Sequence, residues 1–172
     1  MYEAAFEGPL GTMLAVVDEQ GALRRLEFQK GSRARRGDAS GCARVLAQLD
    51  EYFEGKRRDF DLPLAPEGTP FQTLVWRELC RIPFGSRVSY AELARRIRKP
   101  DAVRAVGAAN GANPIAVVTP CHRVVGSDGS LTGYGSGLPR KQWLLDHEAG
   151  FRRLPLEIGR GEGRPRRSVR AF

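Results

Sequence analysis

Cysteine and histidine are scarce in this chain. Cys42, Cys80 and Cys121 are the only cysteines in 172 residues, and His122 and His147 the only histidines. Three cysteines at such wide spacing do not form a disulfide framework and point to a reducing compartment. No Cys-x-x-Cys pair occurs and two histidines do not complete a ligand set, so no zinc site is expected. No apolar run approaches the roughly 20 residues that span a bilayer, and Met1-Tyr2-Glu3-Ala4 lacks the basic start of a signal peptide. A cytoplasmic protein without a membrane partner is expected. Acidic residues are also in deficit, 20 against 28 lysines and arginines, for a net charge of +8. That balance favours a polyanionic partner, nucleic acid or an anionic surface, without choosing between them. Residues 151–172 hold seven arginines against two glutamates, so five of the eight net charges lie there. With Gly161, Gly163 and Pro165, this stretch reads as a basic, flexible tail.

A hydrophobic fraction of 41% and a length of 172 residues allow one large or two small cores. Met13–Val17, a turn at Asp18–Gly21 and Leu23–Phe28 read as a hairpin. Lys30–Ser40, with Arg33, Arg35 and Arg36, reads as a polar surface loop. Asp38–Phe53 then places Val45, Leu46, Leu49, Tyr52 and Phe53 on one helical face, and a short strand is expected over Phe60–Leu64. Pro66 and Gly68 mark a boundary. The fold class is α+β: a structural sheet-plus-helix domain over 1–68, a mostly helical domain over 69–150, and the tail over 151–172.

The second domain opens with Thr69 as N-cap and Pro70 in the first helical turn, with Trp76 and Cys80 in or near the core. Ser89 and Glu92 have capping-box spacing for a helix through Ile97. Lys99-Pro100-Asp101 breaks that helix, and Ala102–Ala109 forms another, so the pair reads as a helix-turn-helix. The later helix consists almost wholly of small residues, with Arg104 its one charge. A helix this bare can lie close to another backbone.

The chemistry centres on Thr119-Pro120-Cys121-His122-Arg123-Val124-Val125. Ile115–Val118 reads as a short buried strand or extended segment that delivers Cys121 to its end, and Pro120 stops any helix there. A thiolate is the nucleophile, and a thiol with a pKa near 8.5 needs a base or a positive environment to ionise at neutral pH. His122 and Arg123 adjoin it. Five glycines from Gly126 to Gly137 make a loop that can approach a ligand closely, with Tyr134 in its middle. Past Pro139, Trp143, Leu144 and His147 recur at helical spacing with Glu148 beside them.

A Pro-Cys-His triplet is weak evidence when alone. From Arg104 to Glu148, however, the chain resembles the O6-alkylguanine-DNA alkyltransferase family, on Asn113-Pro114, Pro120–Val124 and Gly133-Tyr134-Gly135-Ser136-Gly137-Leu138, and the resemblance reaches back to Thr69. It implies irreversible transfer of an alkyl group, chiefly methyl, from O6 of guanine (or O4 of thymine) in double-stranded DNA to Cys121, once per molecule and without a cofactor. It also implies a monomer, and a small-residue helix in the minor groove whose Arg104, beside Ala105, fills the stack left by a flipped nucleotide. Tyr90 would assist flipping and donate to the guanine. His122 would link Cys121 through water to Glu148, and Asn113 would brace the active-site turn. Val124, Tyr134, the backbone N–H of Gly135, and Lys141 would line the pocket, with Arg123 structural or phosphate-facing. The structural zinc of some relatives is not expected here.

Three other readings remain at this level. An alkyltransferase-like lesion-binding protein shares the scaffold but usually has tryptophan in place of the nucleophile. A cysteine hydrolase would need His147 as a distant base and an oxyanion site, which nothing signals. A basic structural DNA-binding protein would leave Pro120–Val124 unexplained.

Deleting residues 155–172 should weaken DNA binding and flatten its salt dependence, since each lost phosphate contact removes about 0.9 from the log–log slope. Reaction with free O6-benzylguanine should be untouched. Binding titrations at several salt concentrations check this, and an unchanged slope would exclude the tail as a DNA contact.

Overall fold

A computed structural model of the chain describes residues 1–29 and 38–153. The basic loop residues Arg33, Arg35 and Arg36, and the tail beyond 153, lie outside the described residues. The fold is α+β, as expected. Strands β1 (Tyr2–Gly8), β2 (Gly11–Val17) and β3 (Leu23–Phe28) form an antiparallel sheet in the order β1-β2-β3. The expected hairpin is its β2–β3 half, and β1 adds a third strand, pairing Tyr2 with Val17 through Gly8 with Gly11. In β2, the central strand, Met13–Val17 are all buried.

Helix α1 (Ala43–Phe53) starts five residues later than the expected Asp38. A single 3₁₀ turn, Ser40–Cys42, precedes it, because the Asp38 carboxylate accepts from Ser40 N–H and Gly41 packs against the Tyr2 ring, where a Cβ would sit 2.3 Å from the ring. The strand expected over Phe60–Leu64 is reduced to one parallel bridge between Leu64 and Leu23. Pro63 has no N–H to extend a ladder, and its carbonyl accepts from Leu23 N–H.

Helix α2 (Pro70–Leu79) carries a complete capping box: Thr69 Oγ1 accepts from Gln72 N–H, and Gln72 Oε1 accepts from Thr69 N–H. Residues Val88–Ser89 (β4) lead directly into α3 (Tyr90–Arg96). The box expected there is half formed. Ser89 Oγ accepts from Glu92 N–H, but the Glu92 carboxylate turns to Arg95 and Arg96, where charge wins over the backbone donor. Helix α4 runs over Val103–Gly111, and Trp76 Nε1 of α2 donates to the Ala109 carbonyl at 2.8 Å, pinning these two helices together. Val124–Val125 (β5) pairs in parallel with β4, and α5 spans Leu138–Arg153. No helix among the described residues is long and apolar enough to cross a membrane.

Two hydrophobic cores result. One gathers the three-stranded sheet, α1 and Leu144 of α5; the other gathers α2, α3 and α4 with Cys121 and Val124. Ile115–Val118 packs in the first core, so the chain passes from one core to the other just before Cys121. It does not run straight there. Val117 has φ +69° and Val118 N–H donates to the Ala116 carbonyl at 2.8 Å, a γ-turn centred on a buried β-branched residue. This corrects the expected strand or extended segment: its one ladder contact is a parallel bridge at Ile115, where Leu26 N–H donates to the Pro114 carbonyl and Ala116 N–H to the Leu26 carbonyl. The left-handed valine is strained by about 1–3 kcal/mol and persists because the packing and hydrogen bonds around it leave no alternative.

Candidate active site

Cys121 opens a 3₁₀ turn, Cys121–Arg123, set directly before β5. Pro120 holds a second tight bend, with Cys121 N–H donating to the Thr119 carbonyl at 2.8 Å. The Asn113 side chain organises this approach. Its Nδ2 donates to the carbonyls of Thr119 (2.8 Å) and Ile115 (3.2 Å), and its Oδ1 accepts from Ile115 N–H. The bracing expected of Asn113 thus has a physical basis: these are backbone groups that the γ-turn leaves without ladder partners.

Behind the cysteine lies a fully buried carboxylate, Glu148 of α5. Its Oε1 accepts from His122 Nε2 (2.8 Å), Arg123 Nη2 (2.9 Å) and the Tyr52 hydroxyl (2.9 Å). Its Oε2 accepts from Arg123 Nε (2.9 Å) and Gly85 N–H (2.9 Å). Burial by itself would push the Glu148 carboxyl up. The bonds and charges of His122 and Arg123 outweigh it and hold the group well below the usual carboxylate range. A carboxylate only accepts, so His122 Nε2 carries a proton and Nδ1 has the lone pair of the neutral ring. Burial pulls the His122 pKa down despite the Glu148 charge opposing it.

Burial raises the Cys121 thiol above its ordinary pKa, offset in part by the Asn113 amide and the Lys141 charge. Three buried side-chain atoms among the described residues have no hydrogen-bond partner: His122 Nδ1, Asn110 Oδ1 and the Tyr134 hydroxyl. Two of these belong to residues in contact with Cys121. His122 follows it in the chain, and Asn110 Nδ2 donates to the Cys121 carbonyl at 3.4 Å. Tyr134 packs against both cores, and burial together with the Cys121 charge raises its hydroxyl well above the ordinary value.

The Tyr90 hydroxyl donates to the Thr132 carbonyl at 2.8 Å, and Lys141 Nζ donates to the same carbonyl at 2.8 Å. Burial lowers the Lys141 pKa to about 8. Together they tie down the glycine loop, where Gly133 has φ +61° and a Cβ would lie 3.0 Å from the Tyr90 hydroxyl. Gly135 lies against the Gly111 carbonyl at the end of α4. Val124 is buried in β5, whereas Arg104 and Ala105 are exposed on α4, away from this cluster.

Arg123 is not phosphate-facing. It is buried, bridges both Glu148 oxygens, donates from Nη1 to the Ile82 carbonyl at 2.6 Å and lies over the Phe84 ring. His147 Nε2 donates to the Tyr52 carbonyl at 2.9 Å and its ring stacks on Trp143, which removes it as a base for Cys121. Two residues at the site went unforeseen, Tyr52 and Asn110. Tyr52 looked like one more apolar position on α1. Asn110 carried one available signal, an amide directly after the small-residue stretch Ala102–Ala109.

Two descriptions cover nearly the whole of this architecture. The 6-O-methylguanine DNA methyltransferase DNA-binding domain matches residues 70–150, and its ribonuclease-like domain matches residues 1–66. The chain belongs to the 6-O-methylguanine DNA methyltransferase family. A methylated-DNA–protein-cysteine methyltransferase of Methanosarcina barkeri is 49% identical over 154 residues, covering 86% of this chain and 97% of that protein. One of Shigella flexneri is 42% identical over 163 residues, covering 86% and 95%. Among solved structures, Mycobacterium tuberculosis OGT in complex with DNA superposes with a TM-score of 0.78 at 41% identity, covering 86% of this chain and 92% of that one. Among the described residues, no three His, Cys, Asp or Glu side chains cluster as metal ligands would.

Because the folded-state pKa of Glu148 is depressed, its ionisation contributes stability that is fully present above the ordinary carboxylate pKa of about 4.3 and is lost as pH falls. Between pH 6 and pH 3 the unfolding free energy should therefore fall less steeply in Glu148→Gln than in the unmodified protein, by up to about one proton's worth of slope. Urea unfolding at a series of pH values measures this. Parallel slopes would mean that Glu148 is not the ionised group of the cluster.

Proposed function

We propose that this protein repairs DNA by removing the alkyl group, chiefly methyl, from O6 of guanine in a duplex and keeping it on Cys121. The observation that carries the reading is the buried cluster of Cys121, His122, Arg123 and Glu148, in a chain of this family. His122 is neutral with its Nδ1 lone pair unused, so it can take the thiol proton through a water molecule while Glu148 stabilises the imidazolium. The thiolate sulfur then attacks the alkyl carbon, a C–S bond forms as the C–O6 bond breaks, and the guanine leaves with the electron pair and takes up a proton. The thioether product is a poor leaving group. Each molecule acts once, and the step balances without a cofactor.

The target base must leave the stack to reach a buried sulfur, at a cost of a few kcal/mol. Helices α3 and α4, joined across Ile97–Ala102, serve as the helix-turn-helix within a DNA-binding and acceptor domain over 69–150. The exposed Arg104 and Ala105 on α4 face the groove, and Arg104 fills the vacated position. Tyr90 changes its bond from Thr132 to the flipped base, and Val124, Tyr134, Gly135 and Lys141 line the pocket. Residues 1–68 support it, and 151–172 add phosphate affinity. The protein works as a cytoplasmic monomer. Binding to the lesion without transfer is the weaker reading, because Cys121 is present with its base.

Mixed with excess methylated duplex, the protein should gain the mass of one methyl group, mapped to Cys121, and then stop. Continued turnover, or binding with no mass gain, would refute the assignment.

Arg104→Ala should slow repair of duplex DNA at least tenfold more than reaction with free O6-benzylguanine, since ~1.4 kcal/mol of lost flipping free energy is a factor of ten. Single-turnover rates on both substrates check this; equal losses would place Arg104 in folding or the pocket instead.

A further inference from the structure

Glu148 Oε1 is shared among three donors. His122 and Arg123 come from the turn that bears Cys121, but the Tyr52 hydroxyl comes from α1, 96 residues away in the chain. Both Tyr52 and Glu148 are fully buried. The Tyr52 ring is held among Phe53, Phe60, Phe84 and His147, with ring centroids 5.2, 5.3, 6.2 and 5.2 Å away. Its carbonyl accepts from His147 Nε2 at 2.9 Å, so this one residue of α1 is fastened to two adjacent residues of α5, His147 and Glu148. A hydroxyl placed this rigidly can act on the oxygen it touches.

We propose that Tyr52 is a positioning residue for alkyl transfer: by donating to the same Glu148 oxygen as His122, it governs how strongly that oxygen holds the His122 ring and how readily the ring takes the Cys121 proton. This rests on the transfer reading above. A hydrogen bond to a carboxylate oxygen withdraws part of its charge from its other partners. Glu148 faces Arg123 and His122 from the turn, Tyr52 from α1 and the Gly85 N–H from the loop after α2. His122 faces Glu148 and Lys141 from α5, Arg123 beside it and the adjoining Cys121 thiol. Of the side chains touching Glu148, only Tyr52 can lose its bond without a charge or the relay base being deleted.

The sign follows. In Tyr52→Phe, Oε1 keeps two donors and concentrates more charge opposite the His122 Nε2–H. Protonated His122 is then favoured and gives up its proton only at higher pH. Since His122 must be neutral to accept the thiol proton, the acid limb of the rate profile should move upward by about half a pH unit. Replacing Tyr52 by 3-fluorotyrosine, a stronger donor of nearly the same volume, should move it downward. Phe60→Leu loosens the packing around the Tyr52 ring without touching Glu148, and should lower Tm while leaving the midpoint in place.

The measurement is single-turnover transfer from saturating O6-methylguanine duplex between pH 5 and 9, with Tm recorded for each protein. Opposite shifts for phenylalanine and fluorotyrosine, with none for Phe60→Leu, are expected. If Tyr52→Phe does not fold, the fluorotyrosine protein decides by the direction of its shift. Profiles that superpose, or that move the same way in both Tyr52 proteins, would overturn the inference while leaving alkyl transfer intact. No transfer by the unmodified protein would overturn both.

Discussion

One buried negative charge organises this protein's centre. An isolated carboxylate inside a protein costs several kcal/mol, and the cost is met only when every lone pair finds a donor of good geometry. Glu148, on α5, meets that condition with donors from three other stretches of chain: α1, the loop after α2 and the active-site turn. The arrangement cannot be partly assembled at low cost, because without Arg123 the buried charge is left uncompensated. The same requirement fixes the chemistry. A carboxylate facing His122 Nε2 dictates the tautomer, and the tautomer leaves Nδ1 with a lone pair that no buried donor engages.

Cys121 sits where the two cores meet. Ile115–Val118 is anchored in the sheet-side core and Cys121 in the helical one, with Tyr134 touching both. Between them the chain makes two tight bends, at Val117 and at Pro120, which use backbone groups in pairs too close in sequence for any strand or helix. Asn113 satisfies the carbonyls these bends expose. A left-handed valine is tolerable under these conditions only because its side chain is buried and its neighbours are bonded on both sides. The thiol is thus held by strain and packing, and the His122–Glu148–Arg123 cluster behind it by charge.

The short-range features were readable from residue order alone, since each depends on a few adjacent residues. Thr69 and Pro70 specify the start of α2, Asp18–Gly21 the turn between β2 and β3, and Pro120-Cys121-His122-Arg123 a thiol with an imidazole beside it. The same local rules misplaced what long-range contacts settle. The Asp38 start of α1 gave way to the close packing of Gly41 on Tyr2, and the Ile115–Val118 strand gave way to a turn stitched by Asn113. At Ser89, two arginines one turn along the helix took the carboxylate that the capping pattern assigned to the backbone.

Composition and motif by themselves determined the class of fold, the basic charge, the absence of a disulfide framework and the placing of one cysteine directly before a histidine. These are properties of residue type and of spacings within one turn of chain. Tertiary structure alone decided where charge is compensated. Arg123 was open between a phosphate-facing and a structural role until Glu148, 25 residues on, was brought against it. Tyr52 was one apolar position among five on α1 until the fold placed its hydroxyl on the same carboxylate across 96 residues. No periodicity can announce such a bond, because hydrophobic patterning records that a side chain is buried and is silent about which polar atom its one hydroxyl will meet.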